Sequence, residues 1–76
     1  MQRIPVNYIV QIGDRYLPEL IYYWLYHEKP CSLLVLAPKS ENVTAVKIVI
    51  DSDRAADFLL QVKEKTGCRL HVVENK

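Results

Sequence analysis

The N-terminal part of the chain, residues 3–12, has a hydrophobic residue at every second position. The residues on this side are Ile4, Val6, Tyr8, Val10 and Ile12. Successive side chains of a β-strand point to opposite faces, so a period of two is typical of a strand with one buried face. Gly13 and Asp14 interrupt the pattern, and we expect the strand to end there.

Residues 14–28 change to the spacing of an amphipathic helix, with hydrophobic positions three and four residues apart. The predicted inner stripe comprises Leu17, Leu20, Ile21, Trp24, Leu25 and Glu28. Asp14 is suited to cap the first turn, and Pro18 is tolerated near the first helical position because an N–H there has no helical partner. Lys29 and Pro30 end the predicted helix.

Two strands and a short turn follow the predicted helix. Residues 31–37 are nearly all hydrophobic, residues 38–42 are mostly polar, and residues 43–50 are rich in β-branched side chains. Runs of this kind, separated by a few turn-forming residues, are typical of a β-hairpin.

The last third of the chain predicts a second helix and a fourth strand. Asp51, Ser52 and Asp53 form a strong helix start, because oxygen-bearing side chains cap the first turn and acids favour its dipole. The predicted buried stripe is Ala55, Phe58, Leu59 and Val62. Gly67 is suited to end the helix, and residues 68–73 alternate as a strand.

This β-α-β-β-α-β order predicts one domain, residues 1–76, with an α/β fold of the α+β type. Each helix connects strands by a crossover, and such crossovers are right-handed. Two crossovers that flank a hairpin give a ferredoxin-like fold, with a four-stranded antiparallel sheet in the order 4-1-3-2 and both helices on one face. The open face would carry Asn7, Ile9, Gln11, Leu34 or Leu36, Ala45, Lys47, Val49, Arg69, His71 and Val73.

The two cysteines are predicted to remain unpaired with each other. Cys31 begins one edge strand and Cys68 begins the other, so the predicted topology places them at far corners of the sheet. A disulfide needs α-carbons within about 7 Å.

Composition and charge narrow the classes of function. The formal net charge of +1 gives no global basic field of the kind that marks a general nucleic-acid binder. No hydrophobic run approaches the roughly 20 residues of a membrane span, and the first residues lack the layout of a signal peptide. We therefore expect a cytoplasmic protein that makes no membrane contact.

The outer side of the first predicted helix carries tyrosines where a small two-layer domain usually has lysine and glutamate. At about 100° per residue, they fall away from the predicted inner stripe, with two charged residues among them. These residues are Tyr16, Tyr22, Tyr23, Tyr26, Arg15 and Glu19. Tyrosine is enriched at interfaces, so we expect a homodimer, a protein partner, or both, to use this surface.

The open sheet face offers a less favoured hypothesis, a nucleic-acid site at Lys47, Arg69 and His71. Sheets that bind single-stranded RNA stack bases on aromatic side chains, and the central open-face positions hold none. A solvated or dimer-covered face fits this composition better.

Catalytic and metal chemistry have little support in the sequence. Cys68 and His71 have a Cys-x-x-His spacing, but along a strand they point to opposite faces, and zinc usually takes four ligands. No nucleophile elbow, phosphate loop or zinc helix occurs. We expect a protein that is not an enzyme and has no metal or cofactor.

The turn between the first strand and the first helix is a candidate ligand site, because backbone amides converge there and an anion or small molecule can bind them. Its residues are Gly13, Asp14, Arg15 and Pro18. This turn and two further segments, residues 46–51 leading into 57–60 and 65–67, resemble the ACT domain, a small regulatory module that binds amino acids. The resemblance implies a dimer in which residues 13–18 hold an amino acid or similar small molecule against the neighbouring subunit.

Overall fold

The computed structural model describes residues 5–73. Its elements, in chain order, are β1 Val6–Gly13, a short 3-10 turn Asp14–Tyr16, α1 Leu17–Tyr26, β2 Ser32–Ser40, β3 Val43–Ile50, α2 Asp53–Thr66 and β4 Arg69–Val73. The four strands form one antiparallel sheet in the order β2-β3-β1-β4. This order and the two helices confirm the predicted ferredoxin-like fold. Positions 3 and 4 of the predicted first strand lie outside the described residues.

The hydrophobic core lies between one face of the sheet and the two helices. Val10 and Ile12 of β1 lie opposite Val46 and Thr44 of β3, and both β1 side chains are fully buried. The helices cover this face with a set of buried side chains, namely Leu20, Ala55, Phe58, Leu59 and Val62. The period-two pattern therefore marked the buried side of β1 correctly, and the predicted stripe of α2 is confirmed in full.

Local signals fix both ends of α2. The Ser52 hydroxyl accepts a hydrogen bond from the N–H of Ala55 at 3.1 Å, as a helix N-cap does. Gly67 follows the last helical residue with a φ of 65°, a left-handed conformation that glycine adopts at little cost. Its N–H donates to the carbonyl of Lys63 and closes the last turn.

The predicted capping role of Asp14 is wrong. No side-chain hydrogen bond caps either the 3-10 turn or α1. Instead, the Asp14 carboxylate accepts from the Thr44 hydroxyl at 2.5 Å, and the Asp14 N–H donates to the Asn42 carbonyl at 2.8 Å. Asp14 therefore joins the turn after β1 to the β2–β3 hairpin.

The first helix is shorter than the predicted range of 14–28. Pro18 occupies its first turn, as expected. Glu28 and Lys29 have left-handed backbone conformations, and their N–H groups donate to the carbonyls of Leu25 and Trp24, which ends α1 at Tyr26. The final turn is thus closed by the backbone itself.

The edge strand β2 is longer and less regular than predicted. It runs to Ser40, and its pairing with β3 shifts register between Val35 and Pro38 and again before Ser40. Leu34 lies opposite Lys47, so Leu34 occupies the open sheet face, which the alternating pattern alone left undecided between Leu34 and Leu36. Within residues 5–73, no helix has the length and apolar character to cross a membrane.

Candidate interaction surface on the first helix

Three large hydrophobic side chains lie next to one another on the outward side of α1. Tyr22, Leu25 and Tyr26 are 62%, 53% and 69% exposed. They occupy helix positions i, i+3 and i+4, which places them on one face. We call this surface the α1 patch.

Aromatic contacts give the α1 patch a defined shape. The rings of Tyr22 and Tyr26 stack, with centroids 6.2 Å apart and planes 24° apart. The ring of His27 meets Tyr26 edge-on at 5.3 Å. Side chains that already rest against one another lose less conformational entropy when a partner covers them.

Two of the four predicted interface tyrosines do not belong to the outer side. Tyr16 and Tyr23 are half-buried and pack against the hydrophobic core. Arg15 lies over the ring of Tyr16 and Lys65 over the ring of Tyr23, each 5.2 Å from the centroid. The expectation that all four lie on the outer face is therefore wrong for these two.

The orientation of the helix about its own axis also explains why Leu25 is exposed. The predicted buried stripe extended from Leu20 round to Leu25, whereas in the structure the buried side centres on Leu20, which is fully buried. Turning the helix about its axis in this way brings Tyr23 towards the core and carries Leu25 out to solvent. Leu25 is thus a member of the α1 patch that hydrophobic spacing assigned to the core.

Exposed charged residues lie near both ends of α1. Glu19 is exposed and precedes Tyr22 by three positions, so it lies on the same face. Lys29 is exposed at the other end, 5.8 Å over the Trp24 ring. Arg15, also exposed, precedes the helix. The predicted Arg15 and Glu19 therefore border the patch on its N-terminal side.

The indole nitrogen of Trp24 and the carbonyl of His27, which follows the last residue of α1, both form hydrogen bonds with other parts of the fold. The indole N–H of Trp24 donates to the Cys31 carbonyl at 2.8 Å. The Arg54 guanidinium donates to the His27 carbonyl and lies 3.8 Å from the Glu28 carboxylate. These contacts hold the C-terminal end of α1 against the start of β2 and against α2.

A cleft of about 370 Å³ lies beside the turn that was predicted to bind a ligand. Its lining residues are Gln11, Gly13, Tyr16, Ser40, Val43, Thr66, Gly67, Cys68 and Arg69. Of the predicted ligand residues, Gly13 lines the cleft, whereas Asp14, Arg15 and Pro18 do not. The carboxylate of Asp14 is already bonded to Thr44, which leaves it less available to a ligand.

The three residues of the nucleic-acid hypothesis share the open sheet face. Lys47 and His71 both lie opposite Ile9, on either side of it, and Arg69 lies opposite Gln11. Arg69 and His71 are exposed, while Lys47 is half-buried. Among the described residues, this face carries no Phe, Tyr or Trp ring on which a base could stack, and its only aromatic ring is the imidazole of His71.

The cysteine side chains are poor nucleophiles in this fold. Cys31 and Cys68 are both buried free thiols. Burial, and secondly the negative charge of Asp51, raise the pKa of Cys31 to about 11. Because the thiolate is the reactive species, Cys31 stays protonated and unreactive near neutral pH. Within residues 5–73, no three His, Cys, Asp or Glu side chains come together as metal ligands.

Comparison of the chain with protein-family models, curated proteins and solved structures finds no match in any of the three. The resemblance to the ACT domain therefore stays a prediction. Any inference about function rests on the surfaces described above.

Proposed function

We propose that this protein is a non-enzymatic interaction module that forms a homodimer and binds a protein partner through the α1 patch. The observation that carries the proposal is the exposure of Tyr22, Leu25 and Tyr26 side by side. Together they present a hydrophobic surface on the order of 400 Å², about as large as the largest patch on a typical monomer. Patches of this size are often sites of contact.

Pairing of two copies would cover the same three side chains on both chains, as a two-fold interface does. The tyrosines at the centre supply most of the binding energy in such an interface.

Light scattering on purified protein variants tests the proposal. Wild-type protein at tens of micromolar should have twice the mass of one chain, and the double variant Tyr22→Ser with Tyr26→Ser should have the mass of one chain. Leu34→Ser is the matched control, because Leu34 is also 59% exposed but lies on the open sheet face. A monomeric wild-type protein, or a dimer that only the control dissolves, would refute the proposal.

The cleft beside Gly13 supports a second candidate function, the sensing of an amino acid or similar small molecule. Its volume of about 370 Å³ suits a ligand of that size, and Gln11, Ser40 and Arg69 supply polar groups at its wall. A thermal-shift screen with amino acids tests it, since a ligand at 100 times its dissociation constant stabilises the fold by about 2.7 kcal/mol. No shift with any amino acid at millimolar concentration would refute sensing of free amino acids.

A further inference from the structure

The outer edge of β4 is open among the described residues. In the sheet order, β4 has β1 as its neighbour on one side and none on the other, so half of its backbone groups lack a strand partner. The other edge strand, β2, is protected by Pro38, which has no N–H, and by its two register shifts. By contrast, β4 contains no proline and pairs with β1 in regular register, which leaves it able to accept another strand.

An apolar groove lies on the helix side of the sheet, between α2 and strands β1, β3 and β4, and Leu70 is its β4 residue. It has a volume of about 230 Å³ and is lined by Val6, Tyr8, Ile50, Ala56, Leu59, Leu60 and Leu70. Leu60 of the groove is 59% exposed, and Val72, on the same side of β4 as Leu70, is 60% exposed. Since alternate residues of a strand share a face, a strand added next to β4 would place every second side chain on this side, next to Leu70 and Val72.

The opposite side of β4 carries a positive charge at Arg69, which is exposed. His71 is exposed beside it, and Lys47 lies two strands away in the same row as His71. Among residues 5–73, no acidic residue lies in any of the four strands. An added strand would therefore meet Arg69 and His71 on this side and no acid among the described residues.

These charges decide between two occupants of the edge. If β4 paired antiparallel with a second copy of itself about His71, then His71 would face His71 and each Arg69 would face Val73 of the other copy. Such a dimer would leave both Arg69 side chains without an acid among the described residues, whereas opposite charges across strands are stabilising. A strand of a different protein with acids at alternate positions has the complementary charge.

We infer that the β4 edge binds an extended segment of a partner protein as a fifth strand, with apolar and acidic residues in alternation. Its apolar residues pack on Val72 and reach the groove at Leu60 and Leu70, while its acids pair with Arg69 and accept hydrogen bonds from His71. Main-chain hydrogen bonds to β4 would supply affinity and the alternating side chains specificity. This inference is independent of the α1 patch.

A fluorescein-labelled ten-residue peptide of alternating valine and glutamate is the probe. Its anisotropy should saturate when full-length protein is added. A peptide with lysine in place of glutamate should bind about tenfold more weakly or worse, because like-charge cross-strand pairs replace opposite-charge pairs. A peptide of the same composition with all valines before all glutamates should also bind more weakly. Absence of saturable binding, or equal binding of the three peptides, would overturn the inference.

Protein variants locate the site. The double variant Arg69→Glu with His71→Glu should bind the lysine peptide in preference to the glutamate peptide. Leu60→Lys should weaken binding of the glutamate peptide, whereas Leu34→Lys, at an equally exposed leucine, should not. Circular dichroism verifies the fold of each variant, and amide shifts on peptide addition should concentrate in residues 69–73. Equal effects of Leu60→Lys and Leu34→Lys would overturn the inference. A second result would also overturn it: the protein binds oligo-dT but not the peptide, and the double Glu variant loses the binding of oligo-dT. That result would assign the face to nucleic acid.

Discussion

At the scale of single residues, the folded environment of Cys31 raises the pKa of its thiol, which the neighbouring residues in the sequence do not indicate. The side chain is 9% exposed, and its thiol is kept away from water by the core. Burial disfavours the charged thiolate, and the nearby Asp51 carboxylate disfavours it further, so the pKa rises to about 11. The thiol is consequently a structural group at neutral pH.

This shift links stability to alkaline pH. The folded-state pKa lies above the ordinary value of 9.0, so the stabilising contribution of the protonated thiol is complete below pH 9 and is lost as pH rises to about 11. Urea unfolding at intervals from pH 8 to pH 11 should show that the wild type loses about 2 kcal/mol more than Cys31→Ala. The variant serves as the reference because tyrosines and lysines titrate in both proteins. Parallel pH profiles would show that Cys31 does not cause the loss.

At the scale of elements, α1 shows how far hydrophobic spacing can orient a helix. The pattern predicted the helix and its buried Leu20 correctly, but both sides of the stripe hold large apolar groups, with Leu25 on one side and Tyr23 on the other. Which side turns inward depends on contacts with α2, where Lys65 covers the Tyr23 ring. Those contacts join residues that are distant in sequence, so local periodicity could not specify them.

The two adjacent tyrosines of α1 should therefore respond differently to truncation. Tyr23→Ser removes a ring that packs on the core and should lower the free energy of unfolding by about 2 kcal/mol. Tyr22→Ser removes a ring that is 62% exposed and should change it by no more than about 0.5 kcal/mol. Urea unfolding in the Tyr26→Ser background, at a protein concentration at which light scattering gives the mass of one chain, makes the comparison without a contribution from dimerisation. Equal losses of unfolding free energy in Tyr23→Ser and Tyr22→Ser would contradict the orientation of α1 about its axis.

The C-terminal end of α2 offers a test of backbone conformation alone. At Gly67 the φ of 65° is left-handed, and an added Cβ would have no neighbour within 4 Å, so Gly67→Ala should cost about 1 kcal/mol from backbone strain alone. Gly13 is the matched control. Its φ of −61° suits any residue, and an added Cβ would make an ordinary 3.5 Å contact with Tyr16. Thermal unfolding should show a clear loss of stability for Gly67→Ala and no such loss for Gly13→Ala. Equal losses of stability in the two variants would contradict the left-handed conformation at Gly67.

At the scale of the whole molecule, the sequence predicted the fold better than it predicted the surfaces. Periodicity is local, and the rules for connecting strands are few, so the order of elements led directly to the sheet order β2-β3-β1-β4. The partner of Asp14 lies thirty positions away at Thr44, and the irregular pairing of β2 depends on β3. Such details arise only when the elements pack together. These contacts between elements determine which of the predicted site residues remain available to bind a ligand or a partner.

The surfaces that this packing leaves exposed include the two regions for which we propose contacts. The α1 patch is aromatic and lies on the helix layer, and the β4 edge combines open backbone with a cationic side. A chain of 76 residues has a small core, and association commonly adds stability to domains of this size. The proposed homodimer through α1 would leave the β4 edge free for a partner strand.

An isotope-filtered NOE experiment tests the dimer interface most directly. In an equal mixture of labelled and unlabelled wild-type protein, only contacts between two chains appear. We expect these contacts to join the rings of Tyr22 and Tyr26 to the Leu25 methyl groups of the other chain. A mixture without intermolecular contacts, or with contacts only at Leu34, Val72 or Val73, would contradict association through the α1 patch.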